Sequence, residues 1–241
     1  MIVVNADDFG RSESINEAIV YAFEKGIINR TTLMVNMPYV RDALEKAEIK
    51  GFFNSVGLHL NLDDGYPLTQ RITTCPIFCN EDGSFNGVFR KNLTKEIKLS
   101  KIEQKCCEEE IRAQMQRYLD LGLKLMHVDS HHHIHTIPSL LPITVKLAKE
   151  YGFKSMRIKF NLHDTSIIKK YLTRLINKYI TRNFSTESFF CDSQFYINNR
   201  PRIESLEIMC HPDIINNQLV DVIGKREQKQ YEDLMKLNAL T

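Results

Sequence analysis

Short apolar segments alternate with amphipathic segments along most of the chain. The first of the apolar segments is rich in β-branched residues, which is typical of a buried strand. We predict strands at 2–6, 31–36, 55–62, 123–129, 155–159 and 205–210. Between them, apolar positions recur with helical spacing, and we predict helices at 14–26, 40–50, 102–121, 138–151, 164–181 and 225–240. The first helix should open with a capping box at Ser14 and Glu17. Strands that alternate with helices of about 10–15 residues indicate βαβ units, a parallel sheet and the α/β fold class.

Residues 63–98 interrupt this alternation. They include Pro67, Pro76 and the turn-forming sequence NEDGS at 80–84, so we predict an inserted loop or β-hairpin near 63–98. A long segment of this kind inside a compact domain is usually functional, and we expect it beside the site. The chain shows no repeat, low-complexity tract or linker, and 241 residues fit one α/β unit. We therefore predict a single domain over 1–241.

Composition and charge narrow the class of protein. A net charge of +2 argues against a dedicated nucleic-acid binder, and 43% hydrophobic residues argue against a disordered chain. No apolar run approaches the roughly 18 residues of a membrane span, and the first residues lack the basic and apolar regions of a secretory signal. The six cysteines are irregularly spaced, which favours reduced thiols. We therefore expect a cytoplasmic protein with no nucleic-acid or membrane partner.

Residues with metal-binding or acid–base chemistry follow the ends of several predicted strands. Asp7 and Asp8 follow the first strand, His59 lies near the end of the third, five of the eight histidines fall within 127–135, and His211 follows the last strand. The carboxyl ends of parallel strands share one edge of the sheet, where α/β sites are built. A hydrolytic metal site needs about three protein ligands, and imidazole and carboxylate are common ones. We therefore predict a metal site at this edge, with one of the paired carboxylates free to act as a base.

Structural roles are the alternative for each of these residues. An Asp after the first strand could cap the following helix, and three consecutive histidines could form an ordinary polar loop. His211 could be a buried, hydrogen-bonded histidine rather than a general acid that protonates a leaving amine. Neighbours along a strand point to opposite faces, so Cys210 should face away from His211 and belong to the core. We also give His163, which stands apart from the cluster, a structural role.

Two further residues are candidates for substrate contact. Arg157 lies at the end of the fifth predicted strand and could bind a phosphate or an acidic sugar substituent, or else form an ion pair with acids near the strand ends. Tyr66 lies in the inserted segment and could stack on a sugar face or pack within the hairpin. The residues alone leave both alternatives open in each case.

Four motifs, in order along the chain, resemble those of the YdjC/ChbG carbohydrate deacetylases. They are VNADDFG at 4–10, VGLHLNL at 56–62, HVDSHHHIH at 127–135 and IMCHP at 208–212. In the insertion, GYPL at 65–68 and DGSF at 82–85 also look like that family's pattern. The resemblance extends over most of the chain, and four motifs in register are specific although each one is short.

The resemblance implies a fold, a reaction and a set of site residues. The implied fold is an irregular (β/α) barrel of the glycoside hydrolase/deacetylase type with about seven parallel strands. The implied reaction removes acetyl groups from N-acetylated sugars, such as chitooligosaccharides or their phosphates, with a divalent metal usually assigned as Mg²⁺. The matching positions give Asp8, His59 and His131 as metal ligands and Asp7 as the catalytic base, and we add His211 as the general acid.

Metal identity and substrate identity stay open within this resemblance. Two imidazoles and a carboxylate suit Zn²⁺ or another transition metal better than Mg²⁺, so we expect Mg²⁺ from the family and keep Zn²⁺ as the alternative. Asp213 stands where the family commonly has Gly, and region 160–200 matches the family poorly, so the exact sugar, its chain length and its phosphorylation state are not specified. The expected substrate contacts are His133, His135, Arg157 and Tyr66.

Two other functions must be distinguished from this one. A His-rich metal-dependent phosphoesterase or amidohydrolase would usually carry more carboxylate ligands and a His-x-His after the first strand, where this chain has Asp7 and Asp8. A non-catalytic sugar-binding homologue would not need the complete set of acids and histidines. We therefore predict a metal-dependent N-deacetylase that acts on an acetylated oligosaccharide, with a homodimer as one allowed assembly.

Overall fold

Seven parallel strands form the main sheet of the computed structural model, which describes residues 1–162, 166–223, 230–237 and 239–240. The strands are β1 (Ile2–Phe9), β2 (Arg30–Leu33), β3 (Val56–Leu60), β4 (His127–Ser130), β5 (Ser155–Met156), β6 (Phe189–Asp192) and β7 (Leu206–Cys210). Their order across the sheet is β5-β4-β3-β2-β1-β7-β6, and each pairing between neighbours is parallel. The predicted α/β fold with about seven parallel strands is confirmed.

The sheet is curled, so that its two edge strands approach each other. The backbone N–H of Met156 in β5 donates to the carbonyl of Ser185, and the N–H of Ser185 donates to the carbonyl of Lys154 at 3.0 Å. The side chain of Asn161 accepts from the N–H of Phe190 in β6 at 3.0 Å. These contacts draw the β5 and β6 edges together, and the sheet is an irregular, incompletely closed barrel.

Helices connect the strands and cover the apolar side of the sheet. They are α1 (Glu13–Glu24), α2 (Val40–Ile49), α3 (Leu93–Ile97), α4 (Lys101–Asp120), α5 (Leu141–Glu150), α6 (Ile167–Thr181) and α7 (Ser193–Asn199). The predicted helices at 40–50, 102–121, 138–151 and 164–181 correspond to α2, α4, α5 and α6. The predicted capping box at Ser14 is wrong, because the Ser12 side chain caps α1 by accepting from the N–H of Ile15 at 3.3 Å. Among the described residues, no helix combines the length and apolarity that crossing a bilayer requires.

Side chains alternate along the central strands between an apolar outer face and a polar inner face. In β1, Val4 and Ala6 are completely buried in the apolar core, whereas the intervening Asn5 and Asp7 are buried among polar groups. Gly57 in β3 is closely packed, since a Cβ there would lie 3.1 Å from the carbonyl oxygen of His127. The inner face of the curl therefore carries most of the buried charge, and its polar residues include Arg30, Thr32, His59, Asp129 and Glu207.

The inserted segment at 63–98 is a packed loop rather than an extended hairpin. Its one isolated strand contact is the antiparallel bridge between Cys79 and Phe85, and most of its length consists of turns and the short helix α3. The carboxylate of Glu110 in α4 anchors the loop by accepting from the backbone N–H groups of Leu68 and Thr69 at 2.9 and 2.8 Å. The prediction of an inserted loop beside the sheet is confirmed.

The end of the chain differs from the sequence prediction. A small antiparallel sheet in the order β10-β9-β8 is formed by β8 (Pro212–Ile215), β9 (Gln218–Ile223) and β10 (Gln230–Asp233). The predicted helix at 225–240 is wrong within the described residues, because pairing with β9 holds 230–233 extended and a single 3₁₀ turn follows at Leu234–Lys236. The rest of that prediction at 225–229 and 238, and the role given to His163, lie outside the described residues.

Candidate metal and catalytic site

Asp7 and Asp8 are both buried, although neighbours along a regular strand point to opposite faces. The register between β1 and β2 shifts between Ala6 and Phe9, and Asp8 adopts a left-handed backbone conformation with a φ of 68°. This conformation is uncommon outside glycine and is found at functional sites. The irregularity brings two consecutive carboxylates to one site, where each lies near His59.

Asp8, His59 and His131 form a buried cluster at the carboxyl ends of β1, β3 and β4. Nδ1 of His131 lies 2.8 Å from Oδ1 of Asp8, and Nε2 of His59 lies 3.3 Å from the same oxygen. One ligand atom from each residue falls within 4.8 Å of the other two. The structure thus brings together the three side chains that the sequence predicts as metal ligands.

The donor set of this cluster fits a divalent cation. Nε2 of His59 and Nε2 of His131 are buried without a hydrogen-bond partner among the described residues, and such orphaned polar atoms are costly unless a ligand satisfies them. Burial raises the pKa of Asp8, but the imidazoles of His131 and His59 outweigh it and hold that pKa well below its usual value. An ionised carboxylate with two free imidazole nitrogens is a common transition-metal ligand set.

The imidazole of His59 contacts Asp129 through Nδ1, and Asp129 is not among the site residues predicted from the sequence. Nδ1 of His59 lies 2.7 Å from Oδ1 of Asp129 and 3.1 Å from Oγ1 of Thr32. Burial lowers the pKa of His59, but the carboxylates of Asp129 and Asp7 outweigh it and raise the pKa to about 10. A divalent ion would have to displace that proton, so metal binding at this site is coupled to proton release.

Asp7 is clamped by Arg157, which directly follows β5. Nη1 and Nη2 of Arg157 donate to the two carboxylate oxygens of Asp7 at 2.7 Å each, and Asn5 donates to the same carboxylate at 2.8 Å. Burial raises the pKa of Asp7, but the charges of Arg157 and His59 outweigh it and lower that pKa well below its usual value. Asp7 is therefore ionised at neutral pH.

Arg157 is completely buried and pairs with acids. Of its two predicted roles, substrate binding or an ion pair with acids near the strand ends, the geometry matches the ion pair. Besides Asp7 it contacts Asp129 at 2.7 Å and Glu207 at 2.6 Å, and its guanidinium carbon lies 5.0 Å from the ring centre of Phe190. No part of its side chain is exposed to a ligand in solution. Glu207 was also missed from the sequence, although a charged residue inside the apolar strand β7 is a usable signal.

His211 follows β7 and lies beside the end of β1, where Ala6 pairs with Cys210. Its side chain is one-third exposed, and its backbone N–H donates to Oδ1 of Asp221 at 2.6 Å. Burial lowers the pKa of His211, but Asp221, Asp7 and Asp8 outweigh it and raise the pKa to about 9. His211 is therefore protonated at neutral pH. Asp221 belongs to β9, which is not among the strands predicted from the sequence.

The histidines after His131 occupy different environments. Both ring nitrogens of His135 have protein partners, Nδ1 with Oγ of Ser130 at 2.5 Å and Nε2 with the carbonyl of Arg157 at 3.0 Å. This geometry leaves neither nitrogen available for the substrate contact predicted from the sequence. His133 has a φ of 57°, and its Nδ1 is buried without a partner among the described residues. His132 is exposed and lies 2.8 Å from Oδ2 of Asp63.

The rim of the site is formed by the start of the insertion. Arg11 bridges Oδ2 of Asp8 at 2.9 Å and Oδ2 of Asp64 at 2.6 Å, a contact that the sequence did not reveal. Tyr66, two residues further on, is 60% exposed, and its backbone carbonyl accepts from the side chain of Asn36. Tyr66 therefore presents its ring to solvent next to the site rather than packing within a hairpin.

Two residues flanking His211 have local roles. Cys210 is completely buried, and burial raises the pKa of its thiol well above the usual value, so the assignment of Cys210 to the core is confirmed. Asp213, the departure from the family motif, accepts from the N–H of Ile214 at 2.8 Å within β8.

Fold and site together define a class of protein, the hydrolases built on a curled parallel α/β sheet, here with buried His and Asp clusters that could hold a metal ion. The chain belongs to the YdjC-like protein family, whose model matches residues 1–241. The resemblance seen in the four motifs is therefore confirmed.

Similar proteins include several carbohydrate deacetylases. Those of Clostridium beijerinckii and Halalkalibacterium halodurans are 30% and 35% identical, over 91% and 90% of this chain and 84% and 87% of theirs. The one from Brevibacillus brevis is 41% identical over 62% of this chain and 56% of its own. A crystal structure from Enterococcus faecalis V583, provisionally described as a cellobiose-phosphate cleavage protein, has a TM-score of 0.69 at 24% identity, covering 89% of this chain and 82% of that one. The structural likeness supports the fold alone.

Proposed function

We propose that this protein is a divalent-metal-dependent carbohydrate deacetylase that hydrolyses the acetamide of an N-acetylated sugar. The observation that carries the proposal is the pair of unpartnered, buried Nε2 atoms of His59 and His131 beside Asp8. The ionised Asp7 next to this cluster and the protonated His211 add a base and an acid. The carbohydrate deacetylases among its relatives support this choice of reaction.

Asp8, His59 and His131 would hold the ion, which supplies an electrophile for the acetyl carbonyl and an acidified water. Asp7 takes a proton from the attacking water, and Arg157 keeps the carboxylate ionised and fixed in orientation. His211 gives its proton to the departing amine, whose release is otherwise slow at neutral pH. We keep Mg²⁺ as the ion suggested by the family and Zn²⁺ as the one that two imidazoles and a carboxylate favour.

Only two of the four residues predicted to contact substrate stay candidates for direct contact. His133 and Tyr66 stay candidates for direct contact, because one has an unpartnered nitrogen and the other an exposed ring. Arg157 and His135 are instead positioning residues, since both are buried and engaged with protein groups. We further propose N-acetylated oligosaccharides, such as chitooligosaccharides or their phosphates, as substrates. We also propose that the protein is cytoplasmic and that it forms a homodimer.

Acetate release from di-N-acetylchitobiose tests the function directly. The protein would be stripped of metal, reloaded with Mg²⁺ or Zn²⁺ and compared with Asp7→Asn under the same conditions. We expect acetate from the reloaded wild type and little from the variant. Phosphate release from sugar phosphates would be measured in parallel. Phosphate without acetate would favour the phosphoesterase alternative, and acetate release from none of a panel of acetylated sugars would contradict the proposal.

A further inference from the structure

Asp129 lies beneath the site, and its carboxylate touches both the metal cluster and the clamp on Asp7. Oδ1 lies 2.7 Å from Nδ1 of His59, and Oδ2 lies 2.7 Å from Nη2 of Arg157. That same Nη2 donates to Oδ1 of Asp7 at 2.7 Å. Asp129 itself is completely buried, so solvent cannot replace either contact.

The first contact determines which nitrogen of His59 can bind a cation. A neutral imidazole that donates its Nδ1 proton to a carboxylate keeps the lone pair on Nε2. In this structure Nε2 of His59 faces Oδ1 of Asp8 at 3.3 Å and has no hydrogen-bond partner among the described residues. Asp129 therefore fixes the tautomer and the ring orientation that the cluster requires.

The second contact holds Arg157 in the orientation that clamps Asp7. Arg157 pairs with Asp7, Asp129 and Glu207, so its planar guanidinium is held on three sides by buried carboxylates. We propose that Asp129 is a positioning residue that orients the metal ligand His59 and the base Asp7 through one carboxylate. This inference rests on the proposed function and names a residue that acts through its neighbours rather than on substrate.

The exchange of this carboxylate for an amide separates the two contacts. Asn has one acceptor oxygen, whereas His59 and Arg157 both present donors to position 129. In Asp129→Asn one of them must therefore face the amide NH₂. If His59 does, its Nδ1 either accepts from the amide, with the proton moved to Nε2, or keeps its proton and only the longer 3.1 Å contact with the Thr32 hydroxyl. If Arg157 does, the guanidinium turns away from position 129 and loosens its hold on Asp7.

Calorimetric titration with Zn²⁺ alone tests the inference without substrate. We expect Asp129→Asn to bind Zn²⁺ about 10–100-fold more weakly than wild type, the usual effect of losing such a partner. Glu207→Gln is the matched control, because Glu207 contacts Arg157 at 2.6 Å but none of the described contacts joins it to His59. Its Zn²⁺ affinity should stay within about threefold of wild type. At saturating Zn²⁺, kcat for acetate release should fall in both variants. Unchanged Zn²⁺ affinity together with unchanged kcat in folded Asp129→Asn would overturn the inference. Unchanged affinity with a lower kcat would mean that the amide oxygen kept its contact with His59 and that only the hold of Arg157 on Asp7 was lost.

Nitrogen-15 NMR of the Zn²⁺-loaded wild type gives a second measurement, in case Asp129→Asn does not fold. The His59 resonances, assigned by comparison with His59→Gln, should show the proton on Nδ1 and none on Nε2. A proton on Nε2 would overturn the inference. Failure of the function has a different signature: the Zn²⁺ affinities and the tautomer come out as expected while no acetylated sugar yields acetate.

Discussion

Arg157 and Asp7 are joined by two hydrogen bonds of 2.7 Å, although β5, which Arg157 follows, and β1 stand four positions apart in the sheet. Adjacent strands lie about 4.8 Å apart, so a flat sheet would separate these two by roughly 19 Å. The contact exists because the sheet is curled. The ionised state of the base Asp7 therefore depends on the curl of the sheet, since the curl brings the Arg157 guanidinium to this carboxylate.

Arg157→Met should strongly destabilise the fold, because it leaves Asp7, Asp129 and Glu207 without their shared cation. We expect a loss of about 3–5 kcal/mol in the free energy of unfolding, the usual cost of removing one partner of a buried ion pair. Arg112→Met is the control, because Arg112 is 43% exposed in its pair with Glu150 and should cost about 0–1 kcal/mol. Urea unfolding measures both, and equal losses would contradict a buried network.

Glu207 should contribute stability that is lost in acid. Burial raises its pKa, but the guanidinium groups of Arg157 and Arg30 outweigh it and lower the pKa from 4.5 to about 2. A carboxylate whose pKa is lower in the folded state contributes fully above its unfolded value, and the contribution disappears as pH falls from about 4.5 to about 2. Glu207→Gln should therefore flatten the decline of the free energy of unfolding between about pH 4.5 and about pH 2. The exposed Glu150→Gln should keep the wild-type slope, and parallel curves for all three proteins would refute the assignment.

The sequence predicts those elements whose signal is local. Short apolar runs identify β1, β3 and β7, and the residues at their ends identify Asp8, His59 and His211. β6 was missed because Phe189–Asp192 is short, lies in a polar region and becomes a strand only by pairing with β7. The terminal helix was predicted from periodicity alone, whereas pairing with β9 decides the conformation of 230–233.

The partners that orient the site could not be predicted, because each contact joins distant parts of the chain. Asp129 and His59 are 70 residues apart, and Arg157 and Asp7 are 150 apart. Only the curl of the sheet shows that Arg157 faces acids rather than solvent. Asp129 did have a local signal, since it lies two residues after His127 in β4 and therefore on the same inner face.

Metal loading should change stability as well as activity. The metal-free protein should release little acetate, and a divalent ion at 100 times its Kd should add about 2.7 kcal/mol to the free energy of unfolding, visible as a higher Tm. The two imidazoles should make Zn²⁺ and Co²⁺ bind more tightly than Mg²⁺. Thermal melts with Mg²⁺, Mn²⁺, Co²⁺ and Zn²⁺ rank the ions by their effect on stability. Acetate release with the same ions ranks them by their effect on activity. Full activity in protein shown by elemental analysis to be metal-free would exclude the mechanism.

Asp7 and Asp8 should respond differently to the same substitution. Asp8→Asn should weaken metal affinity, because a neutral amide replaces the charged ligand beside His131. Asp7→Asn should keep the metal and lower kcat by roughly 10²–10⁴-fold, the typical contribution of a positioned base. Calorimetric metal titration and acetate release on both variants give the answer. If Asp7→Asn loses the ion while Asp8→Asn binds it without activity, the two roles are exchanged.

His211 should set the alkaline limit of activity. Burial lowers the pKa of His211, but Asp221, Asp7 and Asp8 outweigh the effect of burial and raise this pKa from 6.5 to about 9. The protonated form is the acid, so kcat/KM for an N-acetylated sugar should fall as pH rises through the pKa of His211. A cation bound at Asp8 opposes the rise that this carboxylate causes, so in the metal-loaded enzyme this limb should lie below about 9. Asp221→Asn should move this limb to lower pH, and His211→Gln should remove it and lower kcat by roughly 10²–10⁴-fold. 4-Nitrophenyl acetate is the control substrate, because its leaving group departs without a proton and should be far less sensitive to His211→Gln. An alkaline limb unchanged in His211→Gln, or an equal loss of activity on both substrates, would show that His211 is not the acid.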